Sequence, residues 1–237
     1  MDPGEGGMFP LTRERIAAGW IREIAQRAGL PVRILSDEEI DASLRATLEA
    51  RPEEGPVRVF AYGSLIWNPT VRYRDRQIAC ISGYRRRFCL RTILGRGSPE
   101  RPGLMLGLDH GGSCRGVVYT LAEEDCEEEL RLLWRREMVT GAYRPRWLRA
   151  RVPNGMVSAI AFTIERRHER YCRELSDSEM LDMLATGEGP LGRACDYLYD
   201  TARHLRTLGI PDRQLEELAE RVRRRRAELA AAGVLAD

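Results

Sequence analysis

The succession of short apolar runs between residues 57 and 121 places the tightest limit on what this chain can fold into. Each run is rich in Val, Ile, Leu, Phe or Tyr and is followed by glycine or polar residues, which is typical of β-strands. The segment HGGS (110–113) separates the last two runs and indicates a hairpin turn. The runs are VRVFAYG (57–63), QIACISGY (77–84), RFCLRT (87–92), GLMLGLD (103–109) and CRGVVYTL (114–121).

A single helix and a second pair of strands follow this β-rich block. The helix is predicted from about residue 122 to 138. The strands YRPRWLRARV (143–152) and MVSAIAFTIE (156–165) flank the sequence Pro153-Asn154-Gly155, whose Asn-Gly pair predicts a type I′ hairpin. Strands on both sides of one helix predict an α+β fold, in which a small mixed or antiparallel sheet curls into a barrel.

Helices are also predicted at both ends of the chain. Apolar residues at four-residue spacing indicate a helix between residues 11 and 30. Ser36 followed by Glu39 forms a capping box, as does Ser176 followed by Glu179, and each pair predicts the start of a helix. The two last helices are predicted over about 191–208 and 213–232.

The turn-like segment RPEEGP (51–56) divides the sequence into two parts. Residues 1–56 are predicted to form an N-terminal helical extension, and residues 57–237 a main domain that includes the C-terminal helices. The extension could cover an entrance or mediate association. We expect it to pack on the main domain, because Trp20 and the neighbouring isoleucines need burial.

The composition argues against several classes of partner. Thirty-eight Lys and Arg against 36 Asp and Glu leave a formal charge of +2, which provides no overall field for nucleic acid or for an anionic membrane. No apolar run approaches the length of a membrane span, and the start MDPGEGGMFP lacks the sections of a signal peptide, so we expect a cytoplasmic protein. Six cysteines without a CxxC pair and three scattered histidines predict reduced thiols and no metal site.

One carboxylate of the predicted helix 122–138 stands among apolar residues. Glu137 follows Leu133 by four residues and Trp134 by three, so it projects from the face that the helix buries. The other acidic residues of this helix suit its positive N-terminal end and are expected to be solvated. They are Glu123, Glu124, Asp125, Glu127, Glu128 and Glu129. The apolar stripe consists of Cys126, Leu130, Leu133 and Trp134.

Two interpretations of Glu137 remain open on helix geometry alone. In the structural one it lies at the helix end near the surface, or pairs with an arginine such as Arg136, Arg144 or Arg146. In the catalytic one it is a general base whose pKa is raised by burial, a role that contributes roughly 10²- to 10⁴-fold in rate.

The strand VFAYG (59–63) ends on a small residue that leaves its backbone accessible. Gly63 lets a ligand oxygen approach main-chain amides at the strand end, although it could simply form a turn that Ser64 caps. Ser64 is a poor candidate for a hydrolase nucleophile, because GxSxG is absent and no histidine provides an evident base. Amide donors together with one acid indicate chemistry on an amide or carboxylate compound.

Six motifs in order carry a resemblance to a known family. They are VFAYGSLIWNP (59–69), GYRRRFCL (83–90), RPGLMLGLD (101–109), GGSCRGVVY (111–119), LWRREMVTGAY (133–143) and GPLGRACDYL (189–198). With them the chain resembles the ChaC-type, glutathione-specific γ-glutamylcyclotransferases over nearly all of residues 57–220. That resemblance implies a small α+β barrel and the cleavage of glutathione to 5-oxoproline and cysteinylglycine, without a metal or organic cofactor.

The resemblance also implies roles for individual residues. Glu137, in the R-E pattern after Arg136, corresponds to the acid/base glutamate of the family. Tyr143, in the G-A-Y element, could orient that glutamate or the substrate, or could simply be packed. The segment implied to bind the γ-glutamyl group consists of Val59, Phe60, Ala61, Tyr62, Gly63, Ser64 and Leu65.

Two departures and two other functional classes limit what the resemblance implies. GAY (141–143) stands where many relatives have GGY, and GRGSPERPG (95–103) carries additional arginines. The ChaC name is linked to cation transport, so a non-enzymatic regulator that binds γ-glutamyl compounds is the alternative; only an enzyme needs the acid at Glu137. Arginine clusters at 84–88 and 221–229 are a weak argument for nucleic-acid binding, because acidic residues precede the second cluster. We therefore expect glutathione as a small-molecule partner, with no nucleic acid and no membrane.

Overall fold

The computed structural model describes residues 11–27 and 33–235. The described residues form two compact units. The first consists of residues 12–87 and 106–171, and the second mainly of 88–105 and 172–235. The predicted end of the first helix near Gly29 and the sequence MDPGEGGMFP lie outside the described residues, and the domain boundary at residue 56 stays a prediction.

A closed barrel of five strands is the centre of the first unit. Its order is β1-β3-β2-β4-β5, and an additional pairing joins β3 to β5. Antiparallel pairs such as Ala61 with Val117 occur beside parallel ones such as Val59 with Ile160, so the sheet is mixed. The predicted α+β barrel is confirmed. The strands are β1 (Arg58–Ala61), β2 (Asp75–Thr92), β3 (Gly103–Thr120), β4 (Tyr143–Val152) and β5 (Gly155–Ile164).

Two predicted interruptions in these strands are wrong. The runs on either side of HGGS belong to one strand, β3, which passes through Gly111 at φ +101° and Gly112 at φ +71°. QIACISGY and RFCLRT are likewise joined in β2 through Gly83 at φ +84°. Glycines with positive φ occur at strand bulges and bends as well as in hairpin turns, so these residues bend a strand instead of reversing it.

The hairpin between β4 and β5 is confirmed, but its predicted turn type is wrong. Val152 pairs with Gly155 across a loop of Pro153 and Asn154. A type I′ turn needs positive φ at both central residues, and neither Pro153 nor Asn154 has it. The proline ring fixes φ near −65°, which excludes that turn.

Four helices and one short turn complete the first unit. The predicted helix over 11–30 is broken at Gly19, whose φ is +74°. The Ser36–Glu39 capping box is present, and the helix predicted from residue 122 begins later, at Cys126. These elements are α1 (Arg13–Ala17), α2 (Trp20–Arg27), α3 (Asp37–Glu49), a 3-10 turn (Ser64–Ile66) and α4 (Cys126–Glu137).

The N-terminal helices pack on α4 and on the barrel, as expected. Both α1 and α3 contact α4, and α3 also contacts β4. Ile16 of α1 is buried, whereas Trp20 is half-buried beneath the Arg15 guanidinium, 5.5 Å from the ring centre. On the barrel side of α4, the Trp134 ring meets Phe162 of β5 at 5.1 Å. The helix α4 is therefore buried on more than one face.

The second unit contains three helices and a small hairpin. The Ser176–Glu179 capping box is present at the start of its first helix. The helices α5 and α7 are joined by ion pairs, including Arg225 to Asp182 at 2.7 Å. No described helix is long and apolar enough to cross a membrane. The elements are α5 (Asp177–Thr186), β6 (Glu188–Gly189), β7 (Gly192–Arg193), α6 (Ala194–Thr207) and α7 (Arg213–Ala231).

Candidate active site

The turn that follows β1 leaves two main-chain donors without an acceptor. Gly63 precedes the 3-10 turn with φ −133° and ψ −129°, and its carbonyl accepts the Ile66 amide at 2.9 Å. The first amides of a helical turn have no partner within the turn. Among the described residues, the amides of Ser64 and Leu65 have no hydrogen-bond acceptor. This geometry presents two adjacent N–H groups to an anionic oxygen.

Close packing below the turn fixes its position. Val59, Phe60 and Ala61 are almost fully buried, with 1%, 0% and 0% exposure. Gly116 of β3 lies against them so tightly that a Cβ atom there would stand 2.2 Å from the Ala61 carbonyl oxygen and 2.8 Å from the Phe60 ring. The side chains of these three strand residues thus belong to the core and hold the strand end in place, and their predicted part in binding the substrate stays a prediction.

Two tyrosines anchor the turn on either side. The Tyr62 hydroxyl donates to the Phe162 carbonyl at 2.9 Å. The Tyr119 hydroxyl donates to the carbonyls of Leu65 at 3.1 Å and Ile66 at 3.3 Å. Burial raises the pKa of the Tyr119 hydroxyl to about 12, so it remains a donor at neutral pH. Carbonyl groups of the turn are thereby engaged, while among the described residues its first two amides have no acceptor.

Arg136 connects this turn to the candidate acid. Its Nη2 donates to the Ser64 hydroxyl at 2.9 Å, and its Nη1 to the Asn68 carbonyl at 2.6 Å and the Thr70 hydroxyl at 2.8 Å. Its Nε lies 3.0 Å from Oε1 of Glu137. One guanidinium therefore bridges the turn and the carboxyl. Ser64 does not cap the turn with its side chain, contrary to the structural interpretation of this residue.

The carboxyl of Glu137 is withdrawn from water at the end of α4. Its side chain is 15% exposed, and that of Arg136 is 5% exposed. Burial raises the pKa of the Glu137 carboxyl above its ordinary value, and the positive charge of Arg136 lowers it by less. The structural interpretation is correct in that Glu137 ends its helix and pairs with Arg136. The same pair leaves the carboxyl able to hold a proton, as a general acid or base requires.

The loop after the turn contains a strained residue. Thr70 has φ +51°, and it is the single described residue other than glycine with positive φ. A β-branched side chain is disfavoured there, and such strain costs on the order of 1–3 kcal/mol. Arg136 bonds the Thr70 hydroxyl, and the Arg13 Nη1 donates to the Thr70 carbonyl at 2.7 Å. Two arginines from different helices thus hold this conformation.

Glu129 is not solvated, contrary to prediction. It is fully buried, and Arg13 of α1 binds it through two nitrogens, at 2.5 and 2.7 Å. Its Oε2 also accepts the Arg72 amide at 2.8 Å. A buried carboxylate needs such partners, and here they come from elements far apart in sequence. The helix period alone could not identify them.

Tyr143 lies at the start of β4, where its hydroxyl donates to the Leu106 carbonyl at 2.8 Å. The residue is half-buried. This bond fixes the ring and makes Tyr143 part of the barrel packing. Its predicted role toward the substrate or the glutamate stays a prediction.

Two surface depressions lie away from these residues. One of about 410 Å³ is in the second unit and is lined by Tyr199, Arg203 and Arg206 among others. The other, of about 400 Å³, is formed by residues 51–55 and Glu123. Neither includes the turn or Glu137. The candidate site is therefore assigned on its chemistry: a protonatable carboxyl, a buried guanidinium and two amides without an acceptor.

Comparisons with known proteins identify the family of this chain. A family model described as ChaC-like protein matches residues 57–225. The glutathione-specific gamma-glutamylcyclotransferase of Escherichia coli (strain K12) is 42% identical over 201 residues, which cover 84% of this chain and 87% of that protein. The glutathione-specific gamma-glutamylcyclotransferase 1 of Homo sapiens is 30% identical over 166 residues, covering 68% of this chain and 74% of the relative.

A solved structure agrees with the fold. The crystal structure of a yeast gamma-glutamyl cyclotransferase specific to glutathione matches with a TM-score of 0.65 at 21% identity, over 72% of this chain and 97% of that one. At this identity the likeness concerns the fold alone. Because the family model covers well over half of the chain and the Escherichia coli relative matches most of it, the chain belongs to the ChaC-like protein family.

Proposed function

We propose that this protein is a glutathione-specific γ-glutamylcyclotransferase that converts glutathione to 5-oxoproline and cysteinylglycine. The observation that carries the proposal is the single guanidinium of Arg136, which bonds the Ser64 hydroxyl and the Glu137 carboxyl together. Because of this bridge, a proton-holding group lies close to accessible main-chain donors. The names of the relatives from Escherichia coli and Homo sapiens support the same substrate.

The reaction is an internal transfer of the γ-glutamyl group. The α-amine of that residue attacks its own γ-carbonyl, a carbon–nitrogen bond closes the five-membered lactam, and the bond to the cysteine nitrogen breaks. One proton leaves the attacking nitrogen and one is delivered to the departing nitrogen, so the step balances without water. Folding the substrate into reactive geometry can contribute about 7–11 kcal/mol.

Glu137 moves the proton in this scheme. Its ionised form accepts the proton from the α-amine, and its protonated form returns it to the leaving amine. A raised pKa brings the two forms closer in free energy near neutral pH, which is the condition for efficient acid–base catalysis. Arg136 keeps the carboxyl oriented and limits the rise of its pKa.

The turn stabilises the carbonyl oxygen that becomes negatively charged when the amine attacks. Among the described residues the amides of Ser64 and Leu65 donate to no acceptor, so both can donate to this oxygen. One donor of this kind is worth about 2.7–4 kcal/mol in known oxyanion holes. Tyr62 and Gly63 set the position of these donors, and Tyr143 supports the barrel through its bond to the Leu106 carbonyl. We further propose that the enzyme acts in the cytoplasm and that its partner is glutathione, without a nucleic acid or a membrane.

The purified full chain, incubated with reduced glutathione, tests the proposal. We expect release of 5-oxoproline and cysteinylglycine, with little release of 5-oxoproline from simple γ-glutamyl amino acids. Glu137→Gln should lose activity by roughly 10²-fold or more, because the amide cannot exchange a proton. Glu127→Gln is the matched control, since Glu127 is an exposed carboxylate on the same helix.

Three outcomes separate the alternatives. Full activity of Glu137→Gln would remove this residue from the mechanism. Binding of glutathione without turnover, retained in Glu137→Gln, would identify a non-enzymatic binder of γ-glutamyl compounds. Equal turnover of glutathione and of γ-glutamyl amino acids would contradict the proposed specificity.

A further inference from the structure

A series of hydrogen bonds and ion pairs leads from Arg13 of α1, through Glu129 and the loop 68–72, to the candidate site. Arg13 of α1 binds the buried Glu129 through two nitrogens and also donates to the Thr70 carbonyl. Glu129 in turn accepts the Arg72 amide at 2.8 Å. Both ends of the segment 70–72 are thus held by one ion pair, whose carboxylate is fully buried and whose guanidinium is 26% exposed.

This segment in turn determines where Arg136 lies. The Thr70 hydroxyl and the Asn68 carbonyl both accept from Nη1 of Arg136, at 2.8 and 2.6 Å. The other nitrogens of the same guanidinium bond Ser64 and Glu137. A guanidinium is a rigid fork, so a shift of its Nη1 partners displaces the contacts of Nη2 and Nε as well.

The conformation of Thr70 indicates that the ion pair acts on the loop. Positive φ at a β-branched residue persists only where surrounding contacts over-determine it. The Thr70 carbonyl is bonded by Arg13 and its hydroxyl by Arg136, so the residue is fixed from both sides. Without Arg13, the carbonyl loses its charged donor and the loop can relax toward an ordinary conformation.

We propose that Arg13 is a positioning residue for the candidate active site, which it reaches through Glu129 and the loop 68–72. The inference rests on the proposed function and assigns to the N-terminal extension a part in catalysis, although no atom of Arg13 touches the substrate. This role differs from packing. An apolar side chain at position 13 could also cover the buried Ile16, but it could not bind Glu129 or the Thr70 carbonyl.

Arg13→Met in the full chain is the first test, with Arg135→Met as the matched control. Arg135 also joins α4 to α1, since its Nη1 donates to the Ala17 carbonyl at 3.2 Å, but within the described residues it forms no hydrogen bond or ion pair with the loop 68–72. We expect Arg13→Met to lower kcat/KM for glutathione by about tenfold or more, since small misplacements remote from the chemistry can cost up to about 10²-fold. Arg135→Met should stay within about twofold of the wild type.

A second variant separates positioning from the cost of burying an unpaired charge. Arg13→Met leaves Glu129 buried without its cation, which by itself destabilises the fold. In Arg13→Met/Glu129→Gln that charge is removed, while the Gln oxygen can still accept the Arg72 amide. We expect the double variant to recover Tm but not kcat. Its recovery of wild-type kcat would overturn the proposal.

Two further readouts respond to the loop itself. We expect amide hydrogen exchange in residues 68–72 to become about tenfold faster in Arg13→Met, with strands β4 and β5 unchanged. The pKa of Glu137, as seen in the pH profile of kcat/KM, should rise in Arg13→Met. The positive charge of Arg136 lowers this pKa in the wild type, and displacement of the guanidinium weakens that effect. Unchanged exchange at 68–72 would also overturn the proposal. If the wild type did not turn over glutathione, the proposed function would fail, while the exchange measurement would still decide the role of Arg13.

Discussion

Replacing Arg136 by Met removes the guanidinium that joins the turn to the carboxyl while keeping an unbranched side chain of similar length. The variant loses four polar contacts, to Glu137, Ser64, Asn68 and Thr70. Glu137 remains in place with 15% exposure and without its cation. Arg136→Met should therefore reduce both the stability of the first unit and the order of the candidate site.

The size of the effect follows from the burial of the pair. Breaking a buried ion pair by removing one partner costs about 3–5 kcal/mol, because the other charge is left uncompensated. For a chain of this length each kcal/mol corresponds to about 2–4 °C, so we expect Tm to fall by about 6–20 °C at neutral pH. The matched control is Arg131→Met on the same helix, whose exposed pair with Glu127 is worth less than about 1 kcal/mol.

The penalty should depend on pH in a defined direction. Arg136 lowers the pKa of Glu137 against the larger effect of burial, so its removal raises that pKa further. At low pH the carboxyl is protonated and needs no cation, and the penalty is small. As pH rises through the raised pKa, the carboxyl of the variant ionises without a partner and the penalty grows. Thermal unfolding of Arg136→Met, Arg131→Met and the wild type at about pH 5 and about pH 8 measures this.

Two results would refute the reasoning. If Arg136→Met lowered Tm no more than Arg131→Met, the Arg136–Glu137 pair would not make the contribution to the free energy of unfolding that we assign to it. If the loss were equal at both pH values, it would come from packing and not from the ionised carboxyl. In the background of Glu137→Gln, substitution of Arg136 should cost less, because no charge is left behind; the difference between the two backgrounds measures the coupling of the pair.

The remaining predictions concern the carboxyl and the strand below the turn. Burial raises the pKa of Glu137, so the wild type loses stability as pH rises from the ordinary carboxyl value of about 4.3 through that raised pKa. Glu137→Gln cannot ionise, so the Tm of the variant should rise relative to that of the wild type over the same range of pH. Differential scanning calorimetry measures the gain, and a Tm difference that does not change with pH would contradict it. Gly116→Ala should cost about 3 kcal/mol or more, since the added methyl group meets the Ala61 carbonyl at 2.2 Å and the backbone must move. Denaturant unfolding checks this, and a midpoint equal to that of the wild type would show that β1 and β3 can separate without cost.

Local signals in the sequence predicted the local structure well. The capping boxes at Ser36 and Ser176 are both present, because each is made by residues three positions apart and needs no distant partner. The apolar runs on either side of Asn154-Gly155 predicted β4 and β5 with their hairpin, and the ordered motifs implied the barrel through the family resemblance. The caps and the hairpin depend on contacts within a few residues, which the sequence displays directly.

Sequence signals that are compatible with two different local structures led to wrong predictions. Gly111 and Gly112 have the positive φ that a hairpin turn needs, yet they bend one long strand. Whether a strand reverses or continues depends on which neighbours pair with it on either side, and that information lies elsewhere in the chain. Glu129 was misread for the same reason, because its partner Arg13 is 116 residues away.

The candidate acid could be found from the sequence, but its environment could not. Helical spacing alone placed Glu137 on the buried face, and the family motif gave it a role. Arg136 faces a different direction on the helix, and only the fold brings its guanidinium to Ser64, 72 residues away. The sequence named Arg136 as one of three possible partners of Glu137, but it carried no signal for the bonds of that guanidinium to the turn.

The sequence by itself determined the strand periods, the helix starts, the family and the position of one carboxylate on a helix face, since each depends on near neighbours or on ordered motifs. Only the tertiary structure decided which charges are buried, which arginine pairs with which acid, and that the N-terminal helix reaches the loop behind the turn. The physical reason is that the free energy of a buried charge depends on which partners lie next to it in space. These partners come from distant parts of the chain, so the spacing of residues along the sequence does not identify them.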